Sequence, residues 1–159
     1  MPTEVFDTGA LAKLEALKKN VSIAAERGLI NGGAFLRMKL TDQILNSPGN
    51  KAQGGKAKQP PHQVSQGRFV RRREGKLVSS IKMQPKRGEV LIYARTAIAP
   101  YADKVAEWTR WKYGRNYFAI TMQMYGKAVI RVFEREIGRA VHAANNLTPY
   151  VYENHNPSS

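Results

Sequence analysis

Residues 46–67, NSPGNKAQGGKAKQPPHQVSQG, hold only three apolar side chains in 22 positions: Ala52, Ala57 and Val64. A stretch like this cannot offset its ordering entropy by burial. It reads as a flexible basic loop with a coil span of about 26 Å. The stretches on either side, 8–45 and 68–145, leave too little chain for two independent cores, which makes 46–67 a loop and not a domain boundary. A chain of 159 residues with 42% hydrophobic and 24% charged side chains is compatible with that single domain.

Before the loop, Asp7 or Thr8 can cap a helix, and Leu11, Leu14, Leu17, Val21 and Ala24 recur at helical spacing. Gly28, Gly32 and Gly33 weaken that pattern, and Phe35, Met38, Ile44 and Leu45 resume it. The spacing predicts one interrupted helix or two successive helices over 8–45, ending before Ser47-Pro48-Gly49. After the loop, a short helix or turn leads into a strand near Ile81–Gln84. Pro85-Lys86-Arg87-Gly88 is a turn signal and Val90–Ala94 a second strand, which together make a β-hairpin. Pro100 suits the first position of a short helix carrying Tyr101 and Val105. Trp108–Tyr113 alternates as a strand would, up to Gly114. Thr121 can cap a long terminal helix with Tyr125, Val129, Phe133, Ile137 and Ala140 on one face, and 146–159 is an extended tail available to a partner. The expected fold class is α+β: an antiparallel sheet of three to four strands packed by the long C-terminal helix.

The 26 basic and 12 acidic side chains leave a net charge of +14. The excess is concentrated: residues 51–87 carry 11 basic and 1 acidic group, a net +10, against +1 for residues 1–50 and +3 for 88–159. A field of this kind attracts a polyanion or an acidic protein face. Lys51, Lys56, Lys58, Arg68, Arg71, Arg72 and Arg73 are its main sources. With no cysteine, disulfides and thiolate metal sites are excluded, which suits a reducing compartment. The first residues do not read as a signal peptide, and no apolar run approaches the roughly 20 residues of a membrane span.

Catalytic patterns fail one by one. Gly54-Gly55-Lys56-Ala57 lacks the first glycine and the hydroxyl residue of a phosphate-binding loop. His62, His142 and His155 lack metal-ligand spacing, and no Gly-x-Ser-x-Gly occurs. Asp103 and Glu107 are four apart on the short helix, where ion pairing is the common role. No cofactor or metal is expected. In Trp108, Trp111, Tyr113, Tyr117 and Phe118, interleaved with Arg110, Lys112 and Arg115, three uses compete: subunit interface first, core second, nucleobase stacking third.

The order of motifs resembles the phage tail-completion or head–tail joining (neck) family, which includes minor tail protein Z-like proteins. Two short motifs carry the resemblance: Gly75-Lys76-Leu77-Val78-Ser79-Ser80-Ile81, and Tyr101-Ala102-Asp103-Lys104-Val105-Ala106-Glu107, its acid displaced by one position. An N-terminal helix, a hairpin and a long terminal helix surround them, so the likeness covers about residues 8–145. Glu74, Trp108-Thr109 and Arg115-Asn116-Tyr117-Phe118 depart from the family pattern, and the basic loop looks like an insertion.

The resemblance implies a structural virion protein without enzymatic activity. It would form a ring, of six subunits to match tail symmetry, at the neck or tail terminus, assembled in the host cytoplasm. Its partners would be connector, tail-terminator or tail-tube proteins, with non-specific contact to genomic DNA and none to membrane. Gly75, Leu77, Ser80, Ile81, Tyr101, Ala102, Val105 and Glu107 would be motif and packing residues. The alternative is a nucleic-acid-binding protein that uses segment 51–87 directly.

Overall fold

The computed structural model describes residues 8–45 and 76–152. The basic positions Lys51, Lys56, Lys58, Arg68 and Arg71–Arg73, and the motif glycine Gly75, lie outside the described residues. The elements run α1 (Thr8–Leu45), α2 (Lys76–Ser80), β1 (Ile81–Lys86), β2 (Glu89–Ala94), α3 (Ala102–Tyr113) and α4 (Tyr117–Asn145). The class is α+β, with helices dominant and one antiparallel two-stranded sheet among the described residues.

α1 is a single unbroken helix of 38 residues. Its glycines are contact points with α4. A Cβ at Gly28 would lie 2.7 Å from the Phe133 ring and 3.3 Å from its Cα, and one at Gly32 would lie 3.0 Å from Val129. Phe35 meets Tyr125 edge-on, 6.4 Å between centroids. Gln43 meets the Thr121 hydroxyl at 2.7 Å. As numbers rise along α1 they fall along α4, so the pair is antiparallel. At about 1.5 Å per residue, α1 is about 57 Å long and α4 about 44 Å. Asn20 of α1 lies level with Ala140 of α4. The first turns of α1 therefore overhang the end of α4, and Leu11 and Leu14 stand 54% and 62% exposed.

The hairpin registers Ile81 with Ala94 and Lys86 with Glu89. Its turn is the residue pair Arg87–Gly88, with Gly88 at φ 76°, so Pro85 belongs to β1 and not to the turn. In a two-residue hairpin the closing pair, Lys86 with Glu89, exchanges hydrogen bonds. Pro85 opposite Val90 is then a non-bonded position, and its missing N–H faces an open edge. The inner face reaches α1 at Gly33, where a Cβ would come 2.5 Å from Val90 and 3.2 Å from the Met83 sulfur. The Arg37 guanidinium donates to the Ile81 carbonyl at 3.2 Å and ties the start of β1 to α1.

Three expectations are corrected. Trp108–Tyr113 is the second half of α3 and not a further strand. Ala102, Val105, Ala106 and Thr109 form its inward stripe, and the Thr109 hydroxyl lies within bonding distance of the Val105 and Ala106 carbonyls. Helical spacing thus wins over a short alternation, and Gly114 at φ 74° ends the helix. Thr121 does not cap α4. Asn116 does, its side chain accepting from the Ala119 amide at 2.9 Å, while Thr121 is buried one turn inside. The tail does not stand free as far as residue 152. Leu147 turns the chain at φ 52°, the Thr148 amide donates to the Ala143 carbonyl, and Tyr150 and Tyr152 come back onto the helix pair.

The glycine contacts give a direct test. Gly28→Ala gains about 1 kcal/mol of helix propensity but must displace Phe133, and overpacking of this kind costs about 1–3 kcal/mol. Gly126 and Gly138 of α4 have no atom within 4 Å of a built Cβ. Gly138→Ala is expected to raise the urea midpoint, and Gly28→Ala to lower it.

Candidate assembly surface

The two motifs of the sequence reading meet in one place. Leu77, Ile81, Ala99 and Ala102 pack with Leu40 and Ile44 of α1 and with Tyr117 and Ile120 of α4 in a single buried cluster. Tyr101 and Val105 lie half-buried against it. Ser80 is fully buried, its hydroxyl donating to the Leu77 carbonyl at 2.7 Å, and the next amide after β2, that of Arg95, donates to the Ser80 carbonyl at 2.8 Å. These positions therefore set where the hairpin and α3 sit. Glu107 is different: it is exposed on the outer side of α3.

The aromatic set divides. Tyr117 is inside the chain's own core at 0% exposure, stacked on Phe118 with 4.5 Å between centroids. It is a core residue and not an interface residue, because α4 starts at Tyr117 and turns that side chain toward α1 and the motif cluster. Trp108 and Trp111 take the opposite side of α3, at 44% and 83% exposure. They are three apart and share one outward face with Lys104. Tyr113 is the last residue of α3.

Beside that face is an open depression of about 500 Å³ lined by Lys76, Ala97, Ile98, Pro100, Tyr101 and Lys104. Lys76, one of the basic groups of 51–87, begins α2 at the rim of this depression. Ile44, beside the end of α1, and Leu77 belong to the same cluster. The described residues that flank 46–75 therefore lie at one end of the helix pair. A second groove of about 410 Å³, lined among others by Leu36, Leu40, Val90, Ile92, Phe118 and Met122, is predominantly apolar. Among the described residues there is no group of three His, Asp or Glu side chains that could hold a metal, and no helix is long and apolar enough to cross a membrane.

The sequence reading missed a polar cluster between α1 and α4. Glu136 is buried at 4% exposure. It accepts from the Tyr150 hydroxyl at 2.8 Å and the Asn31 amide at 3.4 Å, and pairs with Arg139 at 3.5 Å. The Arg27 guanidinium lies 4.0 Å from the Tyr152 ring centroid. A signal was present, since Glu136 falls in phase with Val129, Val132, Phe133 and Ala140 on the apolar face of α4. A carboxylate there needs a donor.

Comparison of the chain with protein-family models, with curated proteins and with solved structures finds no match.

Two expectations follow from this placement. Tyr117→Ala removes a fully buried aromatic and is expected to cost about 3–5 kcal/mol by denaturant unfolding. Trp111→Ala is expected to change stability by about 0.5 kcal/mol or less, the range for exposed positions. A second measurement uses the two perturbed phenols. Burial, and secondarily the Asp103 charge, pushes Tyr117 up to about 12. Burial, then the hydrogen bond and charge of Glu136, does the same for Tyr150. Both are raised above the unfolded value of 10. Their protonated forms therefore contribute stability fully below about pH 10, and that contribution is lost as pH rises through about 12. Absorbance at the tyrosinate band is expected to show two late-titrating phenols, and Tyr117→Phe and Tyr150→Phe are each expected to remove one.

Proposed function

We propose that this chain is a structural virion protein of a tailed phage, forming a homo-oligomeric ring at the neck or tail terminus that completes the tail and joins it to the head around the DNA channel. One observation supports the reading most. The two resembling motifs, about twenty residues apart, pack into one core unit that holds α3 with Trp108 and Trp111 outward. Exposed large aromatics with flanking charges are what protein–protein interfaces are enriched in. In this reading α3 faces a neighbouring subunit. The finer expectation of three to four strands goes beyond β1 and β2, which pair with each other among the described residues.

The basic loop then faces the lumen or an acidic neighbouring ring. Lys51, Lys56, Lys58, Arg68, Arg71, Arg72 and Arg73 would meet phosphate without reading sequence, an interaction that weakens steeply with salt. The chain would catalyse nothing and bind no cofactor. A second reading, direct nucleic-acid binding through segment 51–87, draws on Lys76 of that segment and Lys104 lining one depression.

Native mass measurement separates the two. A closed ring of six copies without nucleic acid is expected, dispersed to smaller species by combined Trp108→Ala and Trp111→Ala. A monomer that retains DNA supports the second reading and overturns the first. Charge reversal at Arg71, Arg72 and Arg73 is expected to impair DNA delivery in a salt-dependent way. Normal delivery at every salt concentration would end the electrostatic role, and failure of assembly alone would make the loop an interface element.

A further inference from the structure

The described C-terminal segment is short, extended and held by a built set of groups. α4 ends at Asn145, and the Asn146 side chain donates to the His142 carbonyl at 3.0 Å. Leu147 then takes φ 52°, a left-handed conformation that disfavours any residue with a Cβ. From there the chain runs back beside the helix pair and inserts Tyr150 against buried Glu136 and Tyr152 against Arg27. The cleft is made by both helices, Arg27 and Asn31 from α1 and Glu136 and Arg139 from α4. It is a recognition site for a Tyr-x-Tyr segment, with a buried carboxylate for one hydroxyl and a guanidinium for the other ring.

Three features of the closed arrangement point beyond one chain. The hinge is only Asn146 and Leu147, and Leu147 is in a strained backbone region. Leu147 and Val151 stay 54% and 79% exposed, while Tyr150 and Tyr152 on either side of Val151 are half-buried. Thr148 bonds to the Ala143 carbonyl at the end of α4, but Tyr150 and Tyr152 make their cleft contacts beyond the hinge, so the same cleft on a second copy offers those two side chains the same partners. Short hinges under strain favour exchange of identical elements between copies.

We propose that in the assembled protein the segment Thr148–Tyr152 of one copy occupies the Arg27–Asn31–Glu136–Arg139 cleft of the next, linking copies through Tyr150 and Tyr152. Opening the hinge relieves Leu147 and places Leu147 and Val151 at the joint between two molecules, where they become buried. Three residues from Leu147 to Tyr150 reach about 10 Å. The donor α4 must therefore end beside the acceptor cleft, which restricts how neighbours pack. The proposal rests on the assembly reading only in requiring a second copy of the chain.

The test uses the full chain with Tyr152→p-benzoylphenylalanine, an aromatic replacement that cross-links to what it touches. Heavy- and light-isotope-labelled preparations are mixed through dissociation and reassembly, irradiated, and digested. Mixed-label links between residue 152 and the peptide containing Arg27 are expected. Oligomers whose links are only same-label overturn the exchange and leave the ring standing. Mixed-label links in a dimer uphold the exchange and overturn the ring. A monomer at every concentration overturns both. Leu147→Gly, which relieves the closed hinge without touching the cleft, is expected to lower the mixed-label fraction about 5- to 30-fold, the range for a backbone preference of this size. An unchanged fraction in that variant overturns the role given to the hinge.

Discussion

The antiparallel contact between α1 and α4 is the constraint on which everything else in this protein depends. It is close because α1 presents Gly28 and Gly32 to Phe133 and Val129, so that aromatic and β-branched side chains of α4 meet backbone. Close approach fixes the relative height of the two helices. That height decides which end of α1 overhangs and where the hairpin, α2 and α3 can be accommodated. Gly33 continues the same logic on another side, where Val90 and Met83 of the hairpin come against α1.

At the motif end of the contact, Leu40, Ile44, Leu77, Ile81 and Tyr117 close a buried apolar cluster with the Gln43–Thr121 hydrogen bond beside it. Further along, Asn20, Asn31 and Glu136 lie between the helices. A buried carboxylate needs donors, and the segment after α4 adds one to Asn31 and Arg139 by bringing the Tyr150 hydroxyl to Glu136. The buried cluster positions the hairpin and α3, and the polar cluster holds Tyr150. One helix pair thus presents Trp108 and Trp111 near one end and a tyrosine-binding cleft along its length.

Function depends on the same geometry. Tyr117 and Trp111 are close in sequence and alike in chemistry, yet one is enclosed and the other projects into solvent. Composition cannot separate such residues, because both belong to one aromatic, arginine-rich stretch that as a whole reads as interface first, core second and base stacking third. The starting point of α4 separates them by fixing which side of the chain turns inward. Ile44 and Leu77 are brought together in the same way, meeting in one cluster although 33 positions apart.

Much of the architecture was legible because local rules dominate where patterns are long. The helical stripe from Leu11 to Ile44, the hairpin around Gly88 and the terminal stripe from Tyr125 to Ala144 follow from periodicity and turn chemistry. The inward positions Ile81, Tyr101 and Val105 follow from spacing within those elements, and Leu77 from the motif resemblance. Short patterns were decided by tertiary context: Trp108–Tyr113 alternates like a strand, but its Ala102–Val105–Thr109 stripe had a core to cover and became helix. Whether the glycines of α1 broke the helix or received α4 depended on residues about a hundred positions away. So did the identity of Glu136 as a buried acid and of Tyr150 as its donor. The sequence by itself determined the elements and their amphipathic faces, because those depend on neighbours within a turn or two. Only the tertiary structure decided which faces meet, because that depends on contacts between residues that local spacing cannot bring together.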